Sequence, residues 1–263
     1  MKPPVYNPEW SPEQKAIYVH DMQEIWDRKL APQIWNLYHN QLDLYIGLAG
    51  DEPLDILDVG CAQATLALKL AERGHRVTAV DIRQSFLDYA ASRYTHGDIT
   101  FVCGNAFEVD IERKFDLVYA NQILEHLVYP VEFTARLSQF LKPGGRLVMT
   151  TPNGEYLKNG LPTFTELGDP KDWEHLQFSA DGDEHFFAYT VEELKTVAVD
   201  AGLQNVRASW FESPWMSGHM KFRYLHGFTP RGILRALDKM SVRLPLLGKK
   251  LTHQLLVVGE RGA

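Results

Sequence analysis

A strand–turn–helix–strand pattern over residues 54–81 constrains the fold of this chain more than any other feature. Its parts, in order, are the apolar run Leu54–Val59, the turn residue Gly60, the helix-forming stretch Thr65–Arg73 and the β-branched run Arg76–Val80. The first run suits a strand buried on both faces, and Gly74 suits the end of a helix. The pattern predicts a βαβ unit that closes on Asp81.

Each feature of this unit has a physical use at a ligand site. Gly60 allows a ligand to approach backbone that a side chain would block. The helix that follows offers unpaired N–H groups and a positive dipole end. Asp81, at the carboxyl end of the neighbouring strand, can accept hydrogen bonds from both ribose hydroxyls of an adenosine. The unit therefore predicts an adenosine-containing ligand, without separating a dinucleotide from other such ligands.

The turn resembles the first motif of the class I S-adenosylmethionine-dependent methyltransferases. That motif reads Asp-Val-Gly-Cys-Gly-x-Gly, and residues 58–64 read Asp-Val-Gly-Cys-Ala-Gln-Ala, so its second and third glycines are Ala62 and Ala64 here. The dinucleotide fingerprint Gly-x-Gly-x-x-Gly is absent. The resemblance implies S-adenosylmethionine as cofactor, with contacts from Asp58, Gly60, Cys61, Ala62, Asp81, Ile82, Asn105, Ala106, Asn121 and Gln122.

The later strands fit the same architecture. Short apolar runs predict strands at 99–103, 114–120, 146–151, 203–210 and 252–260, with helices between them at 85–93, 130–141 and 190–201. Ser85 is the expected cap of the first of these helices, and Thr190–Glu193 forms a capping box. The order predicts a Rossmann-like, mostly parallel α/β sheet with helices on both faces. The resemblance implies seven strands, with the last antiparallel.

The domain organisation follows from these runs. Residues 1–50 predict an aromatic-rich helical cap, which doubles as a lid if the resemblance holds, and residues 51–263 predict the methyltransferase domain. Two insertions interrupt that domain, at 154–189 and 211–250. A long irregular segment such as the first is usually functional or disordered, and its aromatic residues argue against simple disorder.

Composition narrows the function class. The net charge of −7 argues against a general nucleic-acid binder, so nucleic acid is not expected as a partner. The two cysteines, Cys61 and Cys103, predict no disulfide framework. No signal-peptide hydrophobic region and no membrane-spanning apolar run is present in the sequence, and we expect a cytoplasmic protein. No pattern indicates an oligomeric state.

Residues 221–250 are basic, with Asp238 as the single acid. Helical spacing joins the apolar residues Ile233, Leu234, Leu237, Met240 and Leu244. We expect an amphipathic helix that packs this apolar face on the domain and leaves its basic face in water. Two functional alternatives stay open: a gate for an anionic substrate, and contact with a membrane surface.

Methyl transfer to oxygen needs a base or a metal to remove the hydroxyl proton. The candidates beyond the fourth and fifth strands are Glu125, His126, His175, Glu184 and His185. The pair Glu125-His126 resembles the Glu-x-x-Glu-His motif of ubiquinone-pathway O-methyltransferases and of small-RNA 2′-O-methyltransferases, which direct both acids and the histidine toward a divalent metal. Gln122 replaces the first acid here. We therefore expect no metal, with Glu125, His126 and His185 as the catalytic residues.

The sequence favours an enzyme that methylates a small-molecule acceptor, at a hydroxyl oxygen. RNA 2′-O-methylation is an alternative, although only residues 219–250 supply the basic and aromatic surface that it needs. A second alternative is a degenerate fold that binds cofactor without turnover, because two motif glycines are lost. Asp58, Gly60 and Asp81 all remain, which favours an active enzyme.

Overall fold

In a computed structural model, residues 1–177, 185–244 and 247–262 are described. Seven strands form one mixed sheet in the order β3-β2-β1-β4-β5-β7-β6, which confirms the predicted fold class. The strands are β1 (Asp55–Val59), β2 (Arg76–Asp81), β3 (Asp98–Cys103), β4 (Phe115–Asn121), β5 (Leu141–Pro152), β6 (Leu203–Phe211) and β7 (Gln254–Arg261).

The helices fall before, between and after these strands. They are α1 (Pro12–Asp21), α2 (Pro32–Ala49), α3 (Thr65–Ala71), α4 (Gln84–Arg93), α5 (Pro130–Phe140), α6 (Glu174–Gln177), α7 (Val191–Asp200), α8 (Pro214–Ser217), α9 (Arg231–Val242) and α10 (Gly248–Leu251). Helix α1 continues directly into a π-helical turn over Met22–Trp26. None of the described helices combines the length and apolar character that crossing a membrane requires.

The chain divides into two compact units. Unit 1 comprises residues 1–110 and 214–237, and contains the N-terminal helices and the parallel strands β1, β2 and β3. Strand β1 is buried along nearly its whole length, with Ile56 and Leu57 fully inaccessible, as expected for a strand covered on both faces. In the register of β1 and β2, Asp58 lies opposite Ala79, and both strands end at the same edge.

Unit 2 comprises residues 111–213 and 238–262 of the described chain. Its strands β4 and β5 are parallel, whereas β7 runs antiparallel to both β5 and β6. The interior of β4 is apolar, with Leu117, Val118, Tyr119 and Ala120 fully buried. The capping box at Thr190 and Glu193 opens α7 as predicted.

Local expectations failed at three places. Ser85 does not cap α4; the helix begins one residue earlier, after Arg83, whose backbone N–H is held by Asp81 Oδ1. Pro143 and the two glycines that follow it are typical of a turn, but residues 142–145 belong to β5, so this strand begins before the predicted residue 146. Its register is irregular opposite Phe115–Leu117. Residues 13–29 have the composition of one continuous helix, but the α-helical part ends at Asp21, where the π-helical turn begins.

Helix α9 departs from the expected amphipathic packing. Leu234 is fully buried and Asp238 is nearly so, but Ile233 and Met240 are 53% and 67% exposed. Leu244, just beyond the helix, is 46% exposed. The apolar residues that share helical spacing therefore divide between a buried and an exposed side, because Asp238 occupies part of the buried side by accepting from Ser213.

Candidate active site

The turn after β1 in unit 1 has left-handed backbone at all three positions where the motif carries glycine. Gly60 has φ 63°, and the two alanines at the other motif-glycine positions, Ala62 and Ala64, have φ 47° and 54°. Left-handed backbone costs a residue with a Cβ about 1 kcal/mol. Ala62 and Ala64 therefore hold a left-handed conformation that glycine adopts without this cost.

Asp81 ties this turn to the end of β2. One carboxylate oxygen accepts from the backbone N–H of Ala62 at 2.8 Å, and the other accepts from that of Arg83 at 2.9 Å. Each oxygen of an ionised carboxylate retains capacity for a further donor. The arrangement fixes the carboxylate at the edge of the sheet where the sequence predicted ribose binding.

Asp58 lies beside Asp81 in the interior of unit 1. Burial raises the pKa of the Asp58 carboxyl to about 7, the charge of Asp81 adds to this rise, and a hydrogen bond from the Ala67 backbone N–H opposes it. Near neutral pH this carboxyl therefore carries a proton for a large fraction of the time. A positive charge placed nearby would favour its ionised form.

The other predicted contacts in unit 1 lie at the ends of β1, β2 and β3. Ile82 is 67% exposed, although it is a large apolar residue. Asn105 accepts from the Phe107 backbone N–H with its side-chain oxygen, so it stabilises its own turn while its amide nitrogen remains available as a donor. Both cysteines are free thiols, as expected, and burial raises the pKa of Cys61 well above its ordinary value.

A buried polar network behind the turn was not predicted. Arg93, fully buried at the end of α4, donates to the carboxylate of Asp21, to the backbone carbonyl of Gln63 and to the hydroxyl of Thr65. Gln63 in turn donates from its side chain to Glu24 at 2.8 Å. The residue between the two left-handed alanines is thus held from two sides. The only signal in the sequence was the spacing of Arg93 from the buried residues Leu87 and Ala90 on α4.

In unit 2, Glu125 lies in a short 3₁₀ turn, Leu124–His126, that follows β4. The side chain is fully buried and accepts from the Thr151 hydroxyl at 3.1 Å. Burial raises the pKa of the Glu125 carboxyl to about 8, against opposing hydrogen bonds from its own backbone and from Thr151. Glu125 therefore holds a proton near neutral pH unless a cation stabilises its charge.

The structure brings His185 to this acid. The Phe186 N–H donates to the Glu125 carbonyl at 3.0 Å, which places His185 Nε2 3.9 Å from Glu125 Oε1. The rings of His126 and His185 meet edge to face with their centres 4.9 Å apart. Burial and the neighbouring His126 lower the pKa of His185, so its imidazole is neutral at pH 7.

Asn121 and Gln122, predicted as cofactor contacts, lie in unit 2 at the end of β4. Asn121 accepts from the Thr150 hydroxyl at 3.1 Å. Gln122 takes a left-handed φ of 55°, and its amide nitrogen can be turned to donate to Glu125 Oε1 at 3.2 Å. Gln122 thus contacts the acid that follows it in the motif. Of the other candidates, His175 lies in α6 and Glu184 falls outside the described residues.

One group of potential metal ligands lies in this part of the chain. Ligand atoms of Glu125, His126 and His185 all lie within 4.8 Å of one another, in the search of the described residues. Two imidazoles and one carboxylate form a donor set that suits several divalent transition metals. The arrangement can act either as a proton-accepting pair or as a three-residue metal site.

Comparison with known proteins finds a family match over part of the chain. The family described as "Methyltransferase domain" matches residues 57–149, which contain the turn after β1, Asp81 and the Glu125-His126 pair. Over these residues the chain matches a methyltransferase domain and resembles the class I S-adenosylmethionine-dependent methyltransferases. S-adenosylmethionine is the cofactor of this domain, as the resemblance in sequence implied.

Two curated relatives match the methyltransferase domain over part of their length. The malonyl-[acyl-carrier protein] O-methyltransferase of Acetivibrio thermocellus is 34% identical over 116 residues, or 43% of this chain and 38% of that protein. The ubiquinone biosynthesis O-methyltransferase of Stutzerimonas stutzeri is 29% identical over 136 residues, or 49% of this chain and 57% of that protein. The chain thus spans less than two thirds of the length of each.

The fold extends further than the sequence match. Phosphoethanolamine N-methyltransferase 2 of Haemonchus contortus, solved in complex with S-adenosyl-L-methionine, superposes on 95% of this chain and 57% of that chain with a TM-score of 0.61. The two sequences are 15% identical, so this likeness supports the fold alone. The likeness in fold therefore extends well beyond the matched residues 57–149.

Proposed function

We propose that the protein transfers a methyl group from S-adenosylmethionine to a hydroxyl oxygen of a small-molecule acceptor. The contact between His185 and Glu125 carries the proposal, because a hydroxyl must lose its proton as the methyl arrives. The partial match to two O-methyltransferases supports the choice of oxygen. Asp58, Gly60, Cys61, Ala62, Asp81, Ile82, Asn105, Ala106, Asn121 and Gln122 remain the predicted contacts of the cofactor.

In this reaction the acceptor oxygen attacks the methyl carbon, the carbon–sulfur bond breaks, and S-adenosylhomocysteine leaves as the neutral thioether. The hydroxyl proton passes to the His185 imidazole, which is neutral at pH 7 because burial and His126 lower its pKa. The imidazolium that forms faces Glu125 Oε1 at 3.9 Å and favours the ionised form of that buried carboxyl. Thr151 and Gln122 orient the carboxylate by donating to it.

A second candidate is metal-assisted methylation of a ribose 2′-hydroxyl in RNA. The grouping of Glu125, His126 and His185 within 4.8 Å favours it, since these three donors would hold a divalent ion that lowers the pKa of a bound hydroxyl. The donor set contains a single carboxylate, because Gln122 stands where the resembling families carry a second acid. One negative charge compensates a divalent ion less well than two, so we place the metal-free reaction first.

The test is an assay with S-adenosylmethionine labelled on its methyl group. Phenolic, carboxylic and sugar hydroxyls, matched amines and a short single-stranded RNA would serve as acceptors, each with and without a chelator. Methylation of a small hydroxyl acceptor in the presence of chelator is the expected result. Labelling of the amines alone would refute transfer to oxygen, and labelling of RNA that requires Mg²⁺ or Mn²⁺ would establish the second candidate.

A further inference from the structure

Glu24 lies on the π-helical turn Met22–Trp26 that ends the first helix, and this turn faces the loop after β1. Its carboxylate accepts from the Gln63 amide at 2.8 Å and also receives a hydrogen bond from the Tyr38 hydroxyl. Single π-helical turns within longer helices occur frequently at functional sites. The turn thus places an acid directly behind the left-handed segment Ala62–Ala64.

The charges around Glu24 do not balance. Asp21 and Glu24 lie three residues apart, and the nearby cation Arg93 is committed to Asp21 through a buried ion pair. Asp21 also accepts from the Tyr89 hydroxyl and the Trp26 indole. Glu24 has no basic partner at ion-pair distance among residues 1–177, 185–244 and 247–262. Burial and the charge of Asp21 raise the pKa of the Glu24 carboxyl to about 8, as expected for an acid that lacks a cation.

The proposed cofactor carries a cation that would complement the charge of Glu24. S-adenosylmethionine carries an α-ammonium group at the end of the molecule opposite its adenine. Asp81 holds the turn at Ala62, and the next residue, Gln63, donates to Glu24, so a cofactor whose ribose bound Asp81 would lie on the same turn that contacts Glu24. Glu24 is partly exposed. A carboxylate accepts up to four hydrogen bonds, and two of the Glu24 bonds are accounted for.

We propose that Glu24 is a binding residue for the α-ammonium group of the cofactor, and that Gln63 holds its carboxylate in position. This inference rests on the proposed binding of S-adenosylmethionine to the turn after β1. It gives the N-terminal helices a direct part in cofactor binding, in addition to any role as a lid. It also identifies an acid outside the matched residues 57–149 as part of the cofactor site.

The experiment compares three ligands by calorimetry against wild type and Glu24→Gln. S-adenosylhomocysteine has both the ammonium and the carboxylate of the amino-acid end, its decarboxylated analogue has the amine alone, and 5′-methylthioadenosine has neither. We expect Glu24→Gln to weaken the first two ligands about tenfold to a hundredfold, the usual worth of a charge-assisted hydrogen bond, and to leave the third unchanged. Glutamine keeps an acceptor for Gln63, so the loop retains its partner. Glu13→Gln, an exposed acid on the same helix, is the matched control with no expected effect.

Each outcome decides a separate point. Equal weakening of all three ligands by Glu24→Gln would show that the substitution disturbs the loop, and would overturn the proposal. Unchanged affinity for S-adenosylhomocysteine in Glu24→Gln would overturn it as well. Absence of S-adenosylhomocysteine binding to wild type would instead contradict the proposed function itself. Thermal melting of each variant shows whether the fold is retained.

Discussion

Replacing Asp81 by alanine tests the proposed cofactor site. In the structure its two oxygens accept the N–H groups of Ala62 and Arg83, at 2.8 and 2.9 Å, and the resemblance assigns them the two ribose hydroxyls as well. Hydrogen bonds to a charged group are worth about 1.5–3 kcal/mol each, so losing two costs about 3–6 kcal/mol of binding free energy. At tenfold per 1.4 kcal/mol, affinity should fall by about two to four orders of magnitude. Because the turn also loses the hydrogen bond at Ala62, we expect a loss of affinity near the upper end of this range.

The assay is calorimetric titration with S-adenosylhomocysteine, together with a melting curve for each variant. Asp81→Asn should give an intermediate loss, since an amide still accepts one N–H but presents a donor to the other. Asp88→Ala removes an exposed acid on the helix that follows, and should leave affinity unchanged. Wild-type affinity in Asp81→Ala, in a variant that melts cooperatively, would refute the assignment of the ribose to this carboxylate.

Further predictions concern unit 2 and the buried acids. His185→Ala or His126→Ala should lower turnover by about two to four orders of magnitude and leave cofactor affinity nearly unchanged. Full activity in both variants would show that neither histidine acts as a base, and that the enzyme works by positioning the acceptor alone. Wild-type turnover should fall as pH drops below about 6.5 and the His185 imidazole becomes protonated, with a midpoint below the ordinary histidine value. Activity should survive a chelator, and loss that Mn²⁺ or Mg²⁺ restores would instead support a metal on Glu125. The pKa values of Asp58 and Glu125 are raised to about 7 and 8, so between about pH 5 and 7 the folded state keeps protons that the unfolded state has lost. The free energy of unfolding should therefore fall across that range, by up to about 1.4 kcal/mol per pH unit for each proton, and level off above about pH 8. Asp58→Asn should reduce the slope of a denaturation series over the same range.

The sequence predicted the architecture well because each strand has a local sequence pattern that identifies it. Buried runs such as 55–59 and 115–121 are continuous apolar stretches bounded by turn residues, and the capping box at Thr190 identifies its helix without help from the rest of the chain. The sequence named His185 and Glu125 as candidates, but His185 reaches Glu125 only because the long loop folds back over the end of β4. The contact is made by one backbone hydrogen bond, from Phe186 to Glu125, across 61 residues of chain that no local pattern encodes.

The buried network around Arg93 lay beyond sequence reasoning for a similar reason. Asp21 and Arg93 are separated by 72 residues and read separately as ordinary charged residues on helix surfaces. Through this ion pair the N-terminal helices supply the carboxylate that neutralises a buried arginine. Deletion of residues 1–30 would leave Arg93 buried without its carboxylate, which typically costs about 3–5 kcal/mol. Such a deletion would therefore disturb the fold together with any lid function, whereas Glu24→Gln leaves the Asp21–Arg93 ion pair in place.

The buried acids of unit 1 predict that cofactor binding releases protons. Asp58 and Glu24, with pKa values raised to about 7 and 8, are partly protonated at neutral pH because burial penalises their charge. A bound cation lowers both values, so binding must release protons to the solution. S-adenosylmethionine carries a sulfonium charge that S-adenosylhomocysteine lacks, and it should therefore release more protons. Titrations at pH 7 in buffers of different ionisation enthalpy measure this number directly. Release of equal numbers of protons by the two ligands would mean that the sulfonium charge shifts the pKa of neither carboxyl. Asp58→Asn removes one of the two titrating groups, so it should reduce the difference in proton release between the ligands.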